Sequence, residues 1–127
     1  MSMEAKSAFV IDNKDVHPVE WQGGQMSHTR FYKTFTGALA GTSIVEAVMM
    51  AGENDGASVY VGIERFECAV DGKAGTFILT HAATHHASGG GAEWKIVAGS
   101  GTGDLAGITG HAQILPKHEF ELTYELP

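Results

Sequence analysis

Residues 59–82 read VYVGIERFECAVDGKAGTFILTHA and contain the clearest β-hairpin signal in the chain. Two runs rich in β-branched and aromatic residues, 59–70 and 76–82, flank the polar segment DGKAG. Asp-Gly favours a tight turn because both positions tolerate positive φ. The stretch therefore predicts two antiparallel strands joined by a turn centred on Asp71-Gly72 or on Gly72-Lys73.

Either turn pairs even-numbered residues of the first strand with odd-numbered residues of the second. One face then carries Tyr60, Glu64, Phe66 and Cys68 together with Phe77, Leu79 and His81. Because that face is mostly apolar and aromatic, we expect it to point into the protein core. The opposite face is also partly apolar, so the inverted assignment, with Arg65 and Glu67 inside, is the second interpretation of the same pattern.

The inward assignment places an acid, Glu64, near an imidazole, His81, in apolar surroundings. Burial raises the pKa of a carboxyl, which suits general acid–base chemistry near neutral pH. Glu64 and His81 are therefore the candidate catalytic residues, and the alternative is a structural pair that closes the core. The candidate ligand contacts are the aromatic and apolar residues Tyr60, Phe66, Phe77, Leu79 and Trp94.

The rest of the chain also indicates strands. Polar and apolar residues alternate along 119–126, which predicts a half-buried strand. Further strands are predicted at 8–11, 19–21, 26–36, 94–98 and 108–115. The segment 42–51 fits both helical and strand spacing, and we favour a strand because its neighbours on both sides are strands. Many short strands separated by turn residues are typical of an antiparallel barrel or sandwich.

Composition narrows the function. The 127 residues suit one domain, and 8 basic against 15 acidic residues give a net charge of −7. An acidic chain argues against a nucleic-acid partner, which requires a basic face. The single cysteine, Cys68, excludes an internal disulfide and indicates a reducing, cytoplasmic compartment. We see no signal peptide and no apolar run of membrane-spanning length, and therefore expect no membrane partner.

Two further motifs could carry chemistry. The glycine block 99–110 lacks the Lys-Ser/Thr pair and the following helix of a phosphate loop, so we interpret it as tight turns and bends. His81, His85 and His86 form a short histidine cluster. We place His81 at a strand end and the other two in a glycine-rich loop, which favours a solvated loop over a metal site. No metal and no cofactor are expected.

Three segments resemble one known family: YVGIERFE at 60–67, DGKAGTFILTH at 71–81 and WKIVAGSGTGDLAGITG at 94–110. They are similar to a family of small bacterial proteins of unknown function whose members have a barrel of the allene oxide cyclase type. The resemblance extends over about 8–126, with GSGTGDL as its most specific part, and Cys68 stands where the family tends to have glycine. It implies an all-β fold, a single closed, mainly antiparallel barrel of about eight strands, and it implies no reaction.

These observations together predict a small-molecule-binding barrel. An interior acid beside a histidine suits a cofactor-free isomerisation, cyclisation or lyase step on an apolar small molecule. Two alternatives use the same fold: a non-catalytic carrier, and a self-associating structural barrel, a homo-oligomer, whose interior is packed solid. An interior filled by Phe66, Phe77, Leu79 and Trp94 would favour the last of these.

Overall fold

The computed structural model describes residues 2–20, 22–53 and 56–127, which form a closed barrel of eight antiparallel strands. The strands are β1 (Met3–Val19), β2 (Gly24–Gly37), β3 (Leu39–Gly52), β4 (Ser58–Val70), β5 (Lys73–His86), β6 (Gly89–Ile96), β7 (Thr109–Leu115) and β8 (Glu119–Glu125). Each strand pairs with the next, and β8 pairs with β1. The predicted all-β barrel is confirmed. None of the helical structure in these residues is long and apolar enough to cross a membrane.

The β4–β5 hairpin has the predicted register. Asp71 and Gly72 adopt φ angles of 49° and 84°, and Phe66 lies opposite Phe77. Positive φ at both turn positions is typical of the type I′ turn that matches the twist of the strands. The inverted assignment is wrong, because Arg65 and Glu67 form an exposed ion pair at 2.8 Å on the outer surface.

The segment 42–51 lies within β3, as favoured. The prediction of separate strands at 8–11 and 19–21 was wrong, because β1 runs unbroken to Val19. Its polar middle contains a bulge between Ile11 and Asn13. Residue 21 lies outside the described residues. The prediction that His85 and His86 lie in a loop was also wrong: β5 continues through His86, and the glycines that follow pair with it as the start of β6.

One end of the barrel is packed solid, and we call it the closed end. Five phenylalanine rings fill its interior: Phe9, Phe35, Phe66, Phe77 and Phe120. The glycine-rich segment between β6 and β7 folds across this end, where Leu105 and Ile108 are fully buried. Gly107 bends this segment with a φ of 83°, which agrees with the structural interpretation of the glycine block.

The other end is open because the strands differ in length. Strands β1 to β5 contain 13 to 17 residues, whereas β6 to β8 contain 7 or 8. The ladder between β1 and β8 stops at Ala8, and β6 pairs with β7 only at Trp94 and Lys95. The long strands therefore project beyond the short ones and form a cup, whose rim we call the open end.

Candidate functional site

The cup encloses a cavity of about 890 Å³ that opens to solvent. Apolar side chains provide most of its wall, among them Val16, Met26, Met49, Val59, Tyr60 and Ala83. Of the polar lining residues, Glu20, Gln25, Ser58 and His85 lie at or beside strand ends and therefore at the rim, whereas Ser27 and Thr84 lie further along β2 and β5. The cavity is thus an apolar space with a polar entrance.

Between the cup and the closed end lies a layer of buried polar side chains, which we call the floor cluster: Lys33, Ser43, Glu64 and His81. Each comes from a different strand, β2 to β5, and none is more than 6% exposed. The Glu64 carboxylate accepts hydrogen bonds from Ser43 Oγ at 2.5 Å and from His81 Nε2 at 2.7 Å. Lys33 Nζ lies 3.5 Å from Glu64 Oε2.

The floor cluster keeps Glu64 ionised. Desolvation alone would raise the pKa of this carboxyl, as expected from the sequence. The hydrogen bond from His81, the positive charge of Lys33 and the hydrogen bond from Ser43 outweigh that effect and hold the pKa of Glu64 below its ordinary value. Lys33 also lies 4.5 Å from the centre of the Phe9 ring, whose face favours a cation. The Glu64–Lys33 pair therefore carries two opposite charges and little net charge.

The hydrogen bonds of His81 assign its tautomer. Ionised Glu64 can only accept, so Nε2 carries a proton. Nδ1 receives the indole N–H of Trp94 at 3.1 Å, and because an indole nitrogen only donates, Nδ1 is the acceptor. His81 is therefore assigned as the Nε2–H tautomer.

Tyr60 connects the floor cluster to the cup. Its side chain lines the cavity and is half-buried, and its hydroxyl lies 3.2 Å from His81 Nδ1. Burial, together with the negative charge of Glu64, raises the pKa of Tyr60 to about 12. The hydroxyl therefore keeps its proton at neutral pH and acts as a hydrogen-bond donor.

Comparison with known proteins places the chain in a family. The family model described as "Protein of unknown function (DUF3224)" matches residues 5–127. The chain belongs to the DUF3224 family. A crystal structure of a DUF3224-family protein of unknown function from Shewanella oneidensis MR-1 superimposes with a TM-score of 0.86 at 22% sequence identity, over 100% of this chain and 98% of that one. At this identity the likeness shows a shared fold. No curated protein matches the sequence.

The structure of this DUF3224 protein separates the residues that the sequence grouped together. Glu64 and His81 are hydrogen-bonded, but they lie beneath the cup wall at 0% and 3% exposure. Phe66, Phe77 and Leu79 are fully buried in the closed end, because the floor cluster separates them from the cup. They pack the core of the barrel and do not line the cavity.

The remaining candidates keep a connection to the site. Tyr60 lines the cup, and Trp94 contacts His81 from the neighbouring strand β6. Arg30 is half-exposed on the outer surface of the barrel and pairs with Glu46 at 2.5 Å. Cys68 is a free thiol, and burial raises its pKa to about 12.

Sequence reasoning missed Lys33 and Ser43. Lys33 shares a strand face with Phe31 and Phe35, and Ser43 shares a strand face with Val45. Strand periodicity alone therefore places both polar residues on inward faces. A lysine between two phenylalanines on one face signals a buried cation, which requires a carboxylate partner. That signal was present in the sequence of this DUF3224 protein.

In the histidine cluster, His85 lines the cup, while His86 Nδ1 lies 3.0 Å from Ser88 Oγ. Among the residues that the structure describes, no three His, Cys, Asp or Glu side chains are grouped so as to hold a metal ion.

Proposed function

We propose that this DUF3224 protein binds an apolar small molecule in the cup. The observation that carries the proposal is the open cavity of about 890 Å³, whose mostly apolar wall includes the half-buried Tyr60. Ligand pockets in proteins typically measure about 300–1,000 Å³ and combine an apolar wall with a few placed polar groups. The cup has that size and that composition.

The packing below the cup supports the same function. The closed end is filled by stacked and tilted phenylalanine rings, with Phe66 and Phe77 centred 4.6 Å apart. The chain therefore has enough large apolar side chains to fill a barrel, yet Ala83 lines the cup and Gly62 and Ala47 lie just below it, at the level of His81. Small residues at these positions leave room for a ligand and argue against a solid structural barrel.

The shielding of the acid and the imidazole favours a binding protein over an enzyme. A ligand in the cup meets Tyr60, whereas Glu64 and His81 lie below the wall at 0% and 3% exposure. In this proposal the floor cluster contacts the Tyr60 hydroxyl through His81, and affinity comes from the apolar wall. The free thiol of Cys68 supports a reducing, cytoplasmic location.

Two neighbouring alanines on β5 provide the test. Ala83 lines the cup, whereas Ala82 is exposed on the outer surface. We expect Ala83→Trp to project an indole ring into the cup beside Tyr60 and to weaken binding of an apolar probe such as 2-acetylnaphthalene, measured by calorimetry. Ala82→Trp should bind as the native protein does, and far-UV circular dichroism should show that both variants fold.

Native mass spectrometry of protein purified without added ligand provides a second measurement. We expect a mass increment whose fraction falls in Ala83→Trp and is unchanged in Ala82→Trp. Equal binding of the naphthalene probe by both tryptophan variants, or no binding by the native protein, would contradict a ligand site in the cup.

Cofactor-free proton transfer in the same cup is the second candidate function. The chain of hydrogen bonds from Tyr60 through His81 to Glu64 favours it, because the phenol can donate a hydrogen bond to a substrate oxygen on which negative charge develops. In such an enzyme a water molecule in the open cup would take the proton from the carbon beside the carbonyl of a bound ketone, and return of a deuteron from D₂O to that carbon would give measurable exchange. Glu64→Gln should abolish that exchange, whereas a carrier shows none in either protein.

A further inference from the structure

The acceptor atom at the centre of the site is shared by two donors. His81 Nδ1 has one lone pair, because the Nε2–H tautomer leaves only that atom unprotonated. The indole N–H of Trp94 reaches it at 3.1 Å and the hydroxyl of Tyr60 at 3.2 Å. Two donors on one lone pair cannot both form a full hydrogen bond, so one of them is weakly held.

Tyr60 is the donor that can be released. The indole N–H of Trp94 is fixed in the plane of its ring, whereas the Tyr60 O–H bond rotates. Tyr60 also lines the cup, while Trp94 does not. When Tyr60 turns away, Trp94 still satisfies Nδ1, so no buried acceptor loses its partner. The Tyr60 hydroxyl can therefore turn its hydrogen from His81 towards the cup at little cost in free energy.

We propose that the ligand is a neutral apolar molecule with a carbonyl-type acceptor, which takes its hydrogen bond from Tyr60. This inference rests on the proposed function, since it names the ligand class for the same cup. Tyr60 is the group that touches the ligand, and Trp94 is a positioning residue that acts through His81.

The charges around the cup favour a neutral carbonyl over a carboxylate. Among the described residues that line the cavity there is no lysine or arginine, and Glu20 lies at the rim. Lys33 in the floor cluster already pairs with Glu64. Apart from the exposed His85 at the rim, a carboxylate would find no basic side chain in the lining, and it would lose hydration in apolar surroundings at a cost.

The test uses two probes of nearly equal shape, 2-acetylnaphthalene and 2-isopropenylnaphthalene, which differ by a carbonyl oxygen in place of a methylene group. The measured quantity is the ratio of their dissociation constants in each protein, because the hydrophobic contribution largely cancels in that ratio. We expect Tyr60→Phe to reduce the preference for the ketone roughly threefold to tenfold, the effect of one hydrogen bond. Binding of the hydrocarbon should change little.

The Trp94→Phe variant distinguishes a positioning role of Trp94 from a purely structural one, because only a positioning role changes the preference for the ketone. Without the indole donor, Tyr60 is the one remaining donor to His81 Nδ1. A ketone that accepts the Tyr60 hydrogen bond therefore leaves this buried acceptor unpaired. We expect the ketone preference to fall in this variant as well, with hydrocarbon binding retained as the control for folding. The infrared C=O stretch of the bound ketone should lie at lower frequency in the native protein than in Tyr60→Phe.

The outcomes separate the two proposals. If neither probe binds the native protein, the proposed function fails. If both probes bind, but the ratio and the C=O frequency are the same in the native protein and in Tyr60→Phe, the cup is a ligand site and the assignment of a carbonyl ligand is overturned. A ratio that falls in Tyr60→Phe but not in Trp94→Phe would overturn the role given to Trp94.

Discussion

Replacement of Glu64 by glutamine tests the floor cluster most severely. The amide keeps the shape of the side chain, and its oxygen can still accept the hydrogen bond from His81 Nε2. The variant nevertheless leaves Lys33, which is 6% exposed, without its counter-charge at 3.5 Å. Removal of one partner from a buried ion pair costs about 3–5 kcal/mol. Because the histidine bond survives, we expect the low end, about 3 kcal/mol.

Urea denaturation at neutral pH measures this loss. For a slope of about 1–3 kcal/mol per molar, a destabilisation of about 3 kcal/mol lowers the unfolding midpoint by roughly 1–3 M. The matched control is the double variant Lys33→Met with Glu64→Gln, which removes both charges. We expect it to be more stable than Glu64→Gln alone, because no unpaired ammonium group remains in the core.

The pH dependence provides an independent check. Because the folded protein holds the pKa of Glu64 below its ordinary value of 4.5, the carboxylate stabilises the fold above about that pH. This contribution is lost as the pH falls through the lower pKa of the folded state. The stability difference between the native protein and Glu64→Gln should therefore shrink in acid. A stability difference below about 1 kcal/mol at neutral pH would refute the buried ion pair. It would also be refuted if the double variant lost as much stability as Glu64→Gln and Lys33→Met lose together as single variants.

Two further substitutions and one thiol reaction test the packing. Phe66→Ala removes a fully buried ring stacked on Phe77 and should cost about 3–5 kcal/mol in urea unfolding; a cost below about 1 kcal/mol would contradict the packed closed end. Gly41→Ala should destabilise by more than about 1 kcal/mol, because φ is 145° and a Cβ would lie 2.3 Å from the Glu67 carbonyl oxygen; unchanged stability would refute that close approach. Because burial raises its pKa to about 12, the Cys68 thiol should react with Ellman's reagent more slowly than a free thiol near pH 8, and unfolding should abolish the difference; equal rates in the folded and unfolded protein would contradict this burial.

The hairpin was predictable because local rules determine it. Asp71-Gly72 specifies the turn, the turn specifies the register, and the register places Glu64 and His81 on one inward face. The position of the cup was not predictable in the same way, because it depends on the unequal lengths of β1–β5 and β6–β8. Those lengths follow from which backbone edges find partners around the whole barrel, a long-range property that local patterns do not report.

The chemistry of the site was predicted only in part. Desolvation was expected to raise the pKa of Glu64, but the hydrogen bond from His81, together with Lys33 and Ser43 from strands 31 and 21 residues away in sequence, holds it below its ordinary value. A single residue's environment in a barrel depends on all strands that face it, so the hairpin gave only one of the three partners. Phe77 and Leu79 were assigned to a ligand wall because the sequence does not reveal where along the barrel the packing ends.

Methyl NMR of methionine tests ligand binding in the cup most directly. The chain contains five methionines, of which Met49 lines the cup while Met3 lies opposite Tyr124 near the closed end. In protein labelled with ¹³C at the methionine methyl groups, we expect titration with 2-acetylnaphthalene to shift the Met49 resonance in a saturable manner and to leave the Met3 resonance unchanged. An unshifted Met49 resonance at saturating probe, or a shift confined to Met3, would contradict binding in the cup.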